Sequence, residues 1–113
     1  MNINILEKTN VAIHLNRKLD QGLEVYYWKD YQDHEVDFVI KKGERIEQLV
    51  QVSAVSDEDD LDPREVRSPL YASGETGCTG LLVITEDLEM EREYQGKMIE
   101  FIPLWKWLLR DHL

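Results

Sequence analysis

Three polar side chains in the stretch His34 to Val55, HEVDFVIKKGERIEQLVQVSAV, are spaced for cation chemistry. The stretch alternates as two β-strands joined by a short turn. On the first strand Val36, Phe38 and Ile40 share one face, and Asp37, Val39 and Lys41 the other. On the second, Ile46, Val50 and Val52 share a face, opposite Glu47, Leu49, Gln51 and Ser53. Lys42-Gly43-Glu44 supplies the turn, with Gly43 free to take a positive φ. With a loop of Gly43 to Arg45, Asp37 lies opposite Gln51, and any register that keeps face parity leaves Asp37, Gln51 and Ser53 together. A carboxylate on one strand and two groups at i and i+2 on its neighbour can hold a hard cation such as Mg²⁺ or Mn²⁺. Such a site needs converging oxygen ligands and open positions for water and phosphate. The same residues also fit a structural role, with Asp37 half-buried beside Gln51 and hydrogen-bonded to it.

The elements that must position this hairpin follow from the rest of the chain. Ile3 to Lys18 reads as a helix with Ile5, Leu6, Val11, Ile13 and Leu15 near one face, ended by Asp20-Gln21-Gly22. Leu23 to Trp28 is rich in β-formers, and Tyr26 and Tyr27 alternate across it, so one of them should be exposed. Asp62-Pro63 reads as an N-cap followed by proline at N1, opening a helix to about Ser73 that buries Val66, Leu70 and Tyr71. Pro69 inside that helix should kink or shorten it. Gly74 to Gly80 is expected as loop, and Leu81 to Thr85 (LLVIT) as a strand buried on both faces. After a charged excursion from Glu86 to Arg92, Glu93 to Gly96 starts a hairpin or strand and Met98 to Ile102 forms the next strand. Pro103 opens a last helix, Leu104 to Leu113, whose Leu104, Trp105, Trp107, Leu108 and Leu109 can pack on the sheet. The expected order is α-β-β-β-α-β-β-α, with LLVIT parallel to the strand carrying Gln51.

The chain has 113 residues, enough for one domain with one modest core, taken as residues 1–113. Its net charge is −10, from 23 acidic and 13 basic residues, which disfavours nucleic acid as a partner unless a basic patch or bound cation offsets it. One cysteine, Cys78, excludes an internal disulfide and suits a reducing compartment. No apolar run approaches the roughly 18 residues of a membrane span, and the N-terminus lacks the pattern of a secretion signal. The expectation is a cytoplasmic chain with no membrane partner. Ser56 to Asp62 (SDEDDLD) is acidic but lacks the glycine and glutamate positions of a calcium loop.

Two resemblances add to this. Asp37, then Gln51, then Ser53 resembles the PD-(D/E)xK pattern of restriction-endonuclease-like nucleases, in which a Lys follows the Glu or Gln by two residues. LEVYYWKDYQDHEVDFVIKKGERIEQLVQVS, the later Glu65-Val66-Arg67, LLVIT and the terminal FIPLWKWLL together resemble the C-terminal nuclease-like domain of archaeal AAA-type ATPases. The resemblance implies a restriction-endonuclease-like α/β fold with a mixed central sheet flanked by helices. It implies an ATPase module, or another protein, as partner. It also implies a site of Asp37 and Gln51 binding Mg²⁺ or Mn²⁺, with an acidic residue from the first helix. The departures are specific. Ser53 stands where a nuclease has Lys, and Lys8 and His14 occupy the two acidic positions of the helix, unless Glu7 substitutes after a slip of one residue. The resemblance thus implies a degenerate, non-catalytic module, the alternative being a divalent-metal-dependent nuclease.

Other chemistry-bearing residues read more plainly. His34 and His112 are expected at the surface, and Cys78 is expected to be inert. Trp28, Trp105 and Trp107 read as core. Lys41, Lys42 and Arg45 cluster at the hairpin tip as the best phosphate contact, or as a charged turn.

Overall fold

A computed structural model describes residues 3–17 and 22–110, with side chains described from Glu7 onward. Helix α1 spans Ile3–Asn16, α2 Pro63–Thr76 and α3 Leu104–Arg110. The strands are β1 Leu23–Lys29, β2 Glu35–Lys42, β3 Arg45–Val52, β4 Leu81–Thr85, β5 Met90–Tyr94 and β6 Lys97–Pro103. They form one mixed sheet in the order β1-β2-β3-β4-β6-β5. The expected order α-β-β-β-α-β-β-α is present with one strand more, since β4, β5 and β6 follow α2 where two strands were expected, and β4 lies parallel to both β3 and β6. All five residues of β4 are buried, as a continuous apolar run between two parallel neighbours requires.

The sheet is covered on both faces. On one, α2 sets Val66, Leu70 and Ala72 against Val39, Leu49, Val83 and Phe101. On the other, α1 and α3 set Val11, Leu15 and Trp107 against Ile40, Val50, Val52 and Ile84. β3 and β4 approach closely where Gly80 meets β3. A Cβ at Gly80 would sit 2.5 Å from the Glu47 carbonyl oxygen, so only glycine fits there.

Helix α2 begins as expected: the Asp62 carboxylate accepts the Arg64 N–H at 2.9 Å and Pro63 opens the first turn. It runs on to Thr76, past the expected end at Ser73, and stops at Gly77 (φ 77°), whose N–H reaches the Ser73 carbonyl. Pro69 lies inside this helix without ending it, buried together with Leu70, Ala72 and Ser73. Tyr71, however, is exposed.

Helix α1 is rotated from the expected stripe. Its buried face is Glu7, Val11, His14 and Leu15, and Ile13 points outward. Two polar residues complete that face, which is why the apolar spacing alone looked imperfect. The side chains of Ile5 and Leu6, the helix stop at Asp20-Gln21, Lys18, His112 and the end of the last helix lie outside the described residues.

Further differences concern the strands and α3. β5 starts at Met90, inside the stretch expected as a charged excursion. Tyr26 and Tyr27 are both exposed, because β1 is an edge strand. On α3 only Trp107 is buried, while Trp105 and Leu109 face outward. Trp28 packs against the α2-side core as expected. His34 is not a free surface residue: its ring stacks on Tyr71 at 3.9 Å and its Nδ1 lies 2.8 Å from Asp30 Oδ2. Cys78 is buried, and that burial raises its thiol pKa, in line with the expected inertness. Among the described residues, no helix is long and apolar enough to cross a membrane.

Candidate functional site

Two bulges decide where the polar groups of the central hairpin point. In β2–β3 pairing, Phe38 faces Val50, Val39 faces Leu49 and Ile40 faces Gln48, but Lys41 faces Ile46 and Lys42 faces Arg45. The loop is therefore the two residues Gly43-Glu44, with Glu47 as the extra residue of β3. Ile46 consequently packs on the α2 side, not with Val50 and Val52. On the other side of β2, Tyr26 faces Val39 and Trp28 faces Val36, so β2 carries an extra residue between Val36 and Val39. Val36 is thereby turned into the α2-side core with Val39, away from Ile40. Asp37 sits in this second bulge, and bulges re-aim side chains. Simple alternation assigned both faces incorrectly at these two points.

Asp37 and Gln51 do meet, as the hairpin register demands, but as reciprocal braces and not as parallel ligands. The Asp37 N–H donates to Gln51 Oε1 at 3.0 Å, and the Val52 N–H donates to Asp37 Oδ2 at 2.9 Å. Beyond the Phe38–Val50 pair these side chains replace the ladder between the strands. Asp37 Oδ1 lies 3.1 Å from Lys8 Nζ of α1. The Gln51 amide turns the other way and donates from Nε2 to Glu65 Oε2 of α2 at 2.9 Å. A chain of polar contacts thus crosses the sheet from α1 to α2: Lys8, Asp37, Gln51, Glu65. Ser53 is buried at the end of β3, where its N–H donates to the Ile84 carbonyl at 2.9 Å.

Glu65 belongs to the network but escaped the sequence reading. Its signal was present: it is the Glu of the Glu65-Val66-Arg67 stretch, in the first turn of a proline-opened helix. Burial raises its pKa, and the Gln51 hydrogen bond opposes that rise. Gln51 and Glu65 also line a small polar cleft of about 130 Å³ with Asp33, Glu35 and Asp62. Tyr27 lies near this acidic group, and its hydrogen bond to Glu35 pushes its phenol up to about 12.

Glu7 has a different neighbourhood. It is only 6% exposed, and among the described residues nothing donates a hydrogen bond to its Oε2. Burial, then the charges of Glu86 and Asp87 after β4, raise its pKa from 4.5 to about 7. Lys8, one residue on, is the side chain that α1 extends to Asp37.

These donors do not fit a divalent cation at Asp37. One carboxylate oxygen is bound by a backbone N–H and the other by an ammonium, while both ends of the Gln51 amide are engaged. Among the described residues, no three His, Cys, Asp or Glu side chains are grouped to hold a metal ion. At the hairpin tip Lys42 pairs with Arg45 across the turn, while Lys41 pairs with Ile46.

The fold and site together define a mixed α/β domain whose central hairpin is braced to helices on both faces. Residues 5–107 match a family described as a domain of unknown function (DUF4143), and the chain belongs to that family. No curated protein and no solved structure matches the chain.

Proposed function

We propose that this chain is a degenerate, non-catalytic domain of restriction-endonuclease-like type that serves as an accessory interaction module, with an AAA-type ATPase module as the partner implied by the resemblance. One observation carries this reading: the Lys8 ammonium, 3.1 Å from Asp37 Oδ1, supplies the positive charge that a metal ion supplies in a PD-(D/E)xK site. An ammonium in that place balances the carboxylate but offers no open coordination position for water or phosphate. Ser53 in place of Lys removes the group that would orient an attacking water, and the −10 charge repels a phosphodiester backbone.

The test is incubation of supercoiled plasmid and single-stranded RNA with the chain and Mn²⁺. The reading expects no cleavage above a metal-free control. Nicking that vanishes in Asp37→Ala would establish the nuclease alternative. A gain-of-function variant tests the role of Lys8 from the other side. Lys8→Glu places a second carboxylate beside Asp37, and Mn²⁺ should then raise its Tm while leaving wild type unmoved. An unmoved Tm in Lys8→Glu would show that Lys8 does not stand in a cation's place.

A further inference from the structure

One groove lies away from the hairpin. It has a volume of about 640 Å³ and runs between α2 and the β5 end of the sheet. It follows the packing: α2 sits chiefly on β2, β3 and β4, short of the last strand. Leu61, Val66, Leu70 and Tyr94 line it, together with the charged Glu58, Arg67 and Glu93. Among the described residues β5 is the last strand of the sheet and pairs only with β6, so its outer row of N–H and C=O groups has no strand partner among them.

The strand register says what such an edge would accept. Met90 faces Phe101 and Arg92 faces Ile99, both core residues on the α2 side, so Met90, Arg92 and Tyr94 share the α2 face of the sheet, and Tyr94 lines the groove. A further strand added along β5 would likewise send every second side chain into the apolar groove and the others to solvent. Five residues of β5 span about 17 Å at a strand's rise, which suits a peptide of five to seven residues.

Charge fixes the rest of the occupant's character. The acidic stretch of the sequence is the short turn Glu58–Asp60 at the mouth of this groove, with Glu58 and Leu61 both among its lining. Glu58 is tied to Arg92 by an ion pair. The turn still presents exposed Asp57, Asp59 and Asp60, and the edge strand presents exposed Glu91 and Glu93. From the free edge, the apolar groove and this rim we infer that β5 and α2 dock an extended, basic segment of a partner protein. Apolar residues alternate with Lys or Arg in that segment, and it adds to the sheet as a seventh strand. The inference rests on the interaction-module reading and names its docking face.

The experiment is selection of a phage-displayed random nonapeptide library against the intact chain. Enriched peptides are then synthesised and titrated by fluorescence anisotropy, with amide chemical shifts mapped by NMR. The expected result is enrichment of alternating apolar and Lys or Arg positions, with shifts along Met90–Tyr94 and α2. Affinity should fall at least tenfold in the exposed double variant Asp59→Lys/Asp60→Lys, and again in Tyr94→Ala, and it should weaken with salt. The inference is overturned if nothing is enriched, if the peptides lack basic residues, if the double variant binds equally well, or if the shifts map to the β1 edge. An empty selection removes this docking face alone, whereas metal-dependent cleavage removes the non-catalytic reading itself.

Discussion

Asp37→Ala is expected to lower the stability of the chain by about 2–3 kcal/mol, read as a shift in the urea midpoint. The substitution leaves the Val52 N–H without its acceptor at the point where the β2–β3 ladder gives way to side-chain bonds. It also strips Lys8 of its carboxylate. The buried N–H dominates the loss, because Lys8 is 39% exposed and its ammonium can return to water. Asp37→Asn should lose less, since an amide oxygen still accepts from Val52. The sign is informative about function. A carboxylate kept for metal binding adds repulsion to an empty site, and its removal is neutral or stabilising. A brace has the opposite sign, so a stabilised Asp37→Ala would argue against the proposed reading.

The second large effect concerns Glu7. Its folded pKa of about 7 lies above the ordinary 4.5, so the folded state holds the proton more tightly than the unfolded one. Below pH 4.5 both states are protonated and there is no penalty. As pH rises from about 4.5 to about 7 the unfolded chain ionises first, and stability falls. Above about 7 the full penalty remains, of about 2 kcal/mol once screening near the helix edge is allowed for. Glu7→Gln removes this titration, and its amide can donate toward Glu86 and Asp87, the charges that raise the pKa of Glu7. The variant should therefore match wild type near pH 4.5 and exceed it at pH 8, by urea midpoints at the two pH values. A variant less stable than wild type at pH 8 would mean that Glu7 is held ionised by a cation.

How far the sequence carried is clearest in the central hairpin. The meeting of Asp37 with Gln51 was legible, although the expected loop of Gly43 to Arg45 is a two-residue loop whose register the extra residue Glu47 restores. Its consequence was not: the bulges at Asp37 and Glu47 turn the residues beyond them, Val36 and Ile46 among these, to the face opposite the one that simple alternation assigns. The same holds for α1. Counting apolar residues favours Ile13, but the helix buries Glu7 and His14, where His14 meets the Trp107 ring edge-on at 4.9 Å. Lys8 was visible as a departure from an acidic position, yet its contact with Asp37 needed the structure. Glu65 was missed because a glutamate early in a helix is ordinarily explained by the helix dipole. The buried parallel strand β4 and the Asp62-Pro63 helix start were readable, since each rests on a strong local rule.

The reading of a braced, non-catalytic hairpin is tested most directly by titration calorimetry of Mn²⁺ into wild type and Asp37→Ala in parallel. The account predicts superimposable isotherms, with no site lost on removing Asp37. Stoichiometric binding in wild type that disappears in Asp37→Ala would place a metal ion at the hairpin, with Lys8 displaced from it, and would contradict the account.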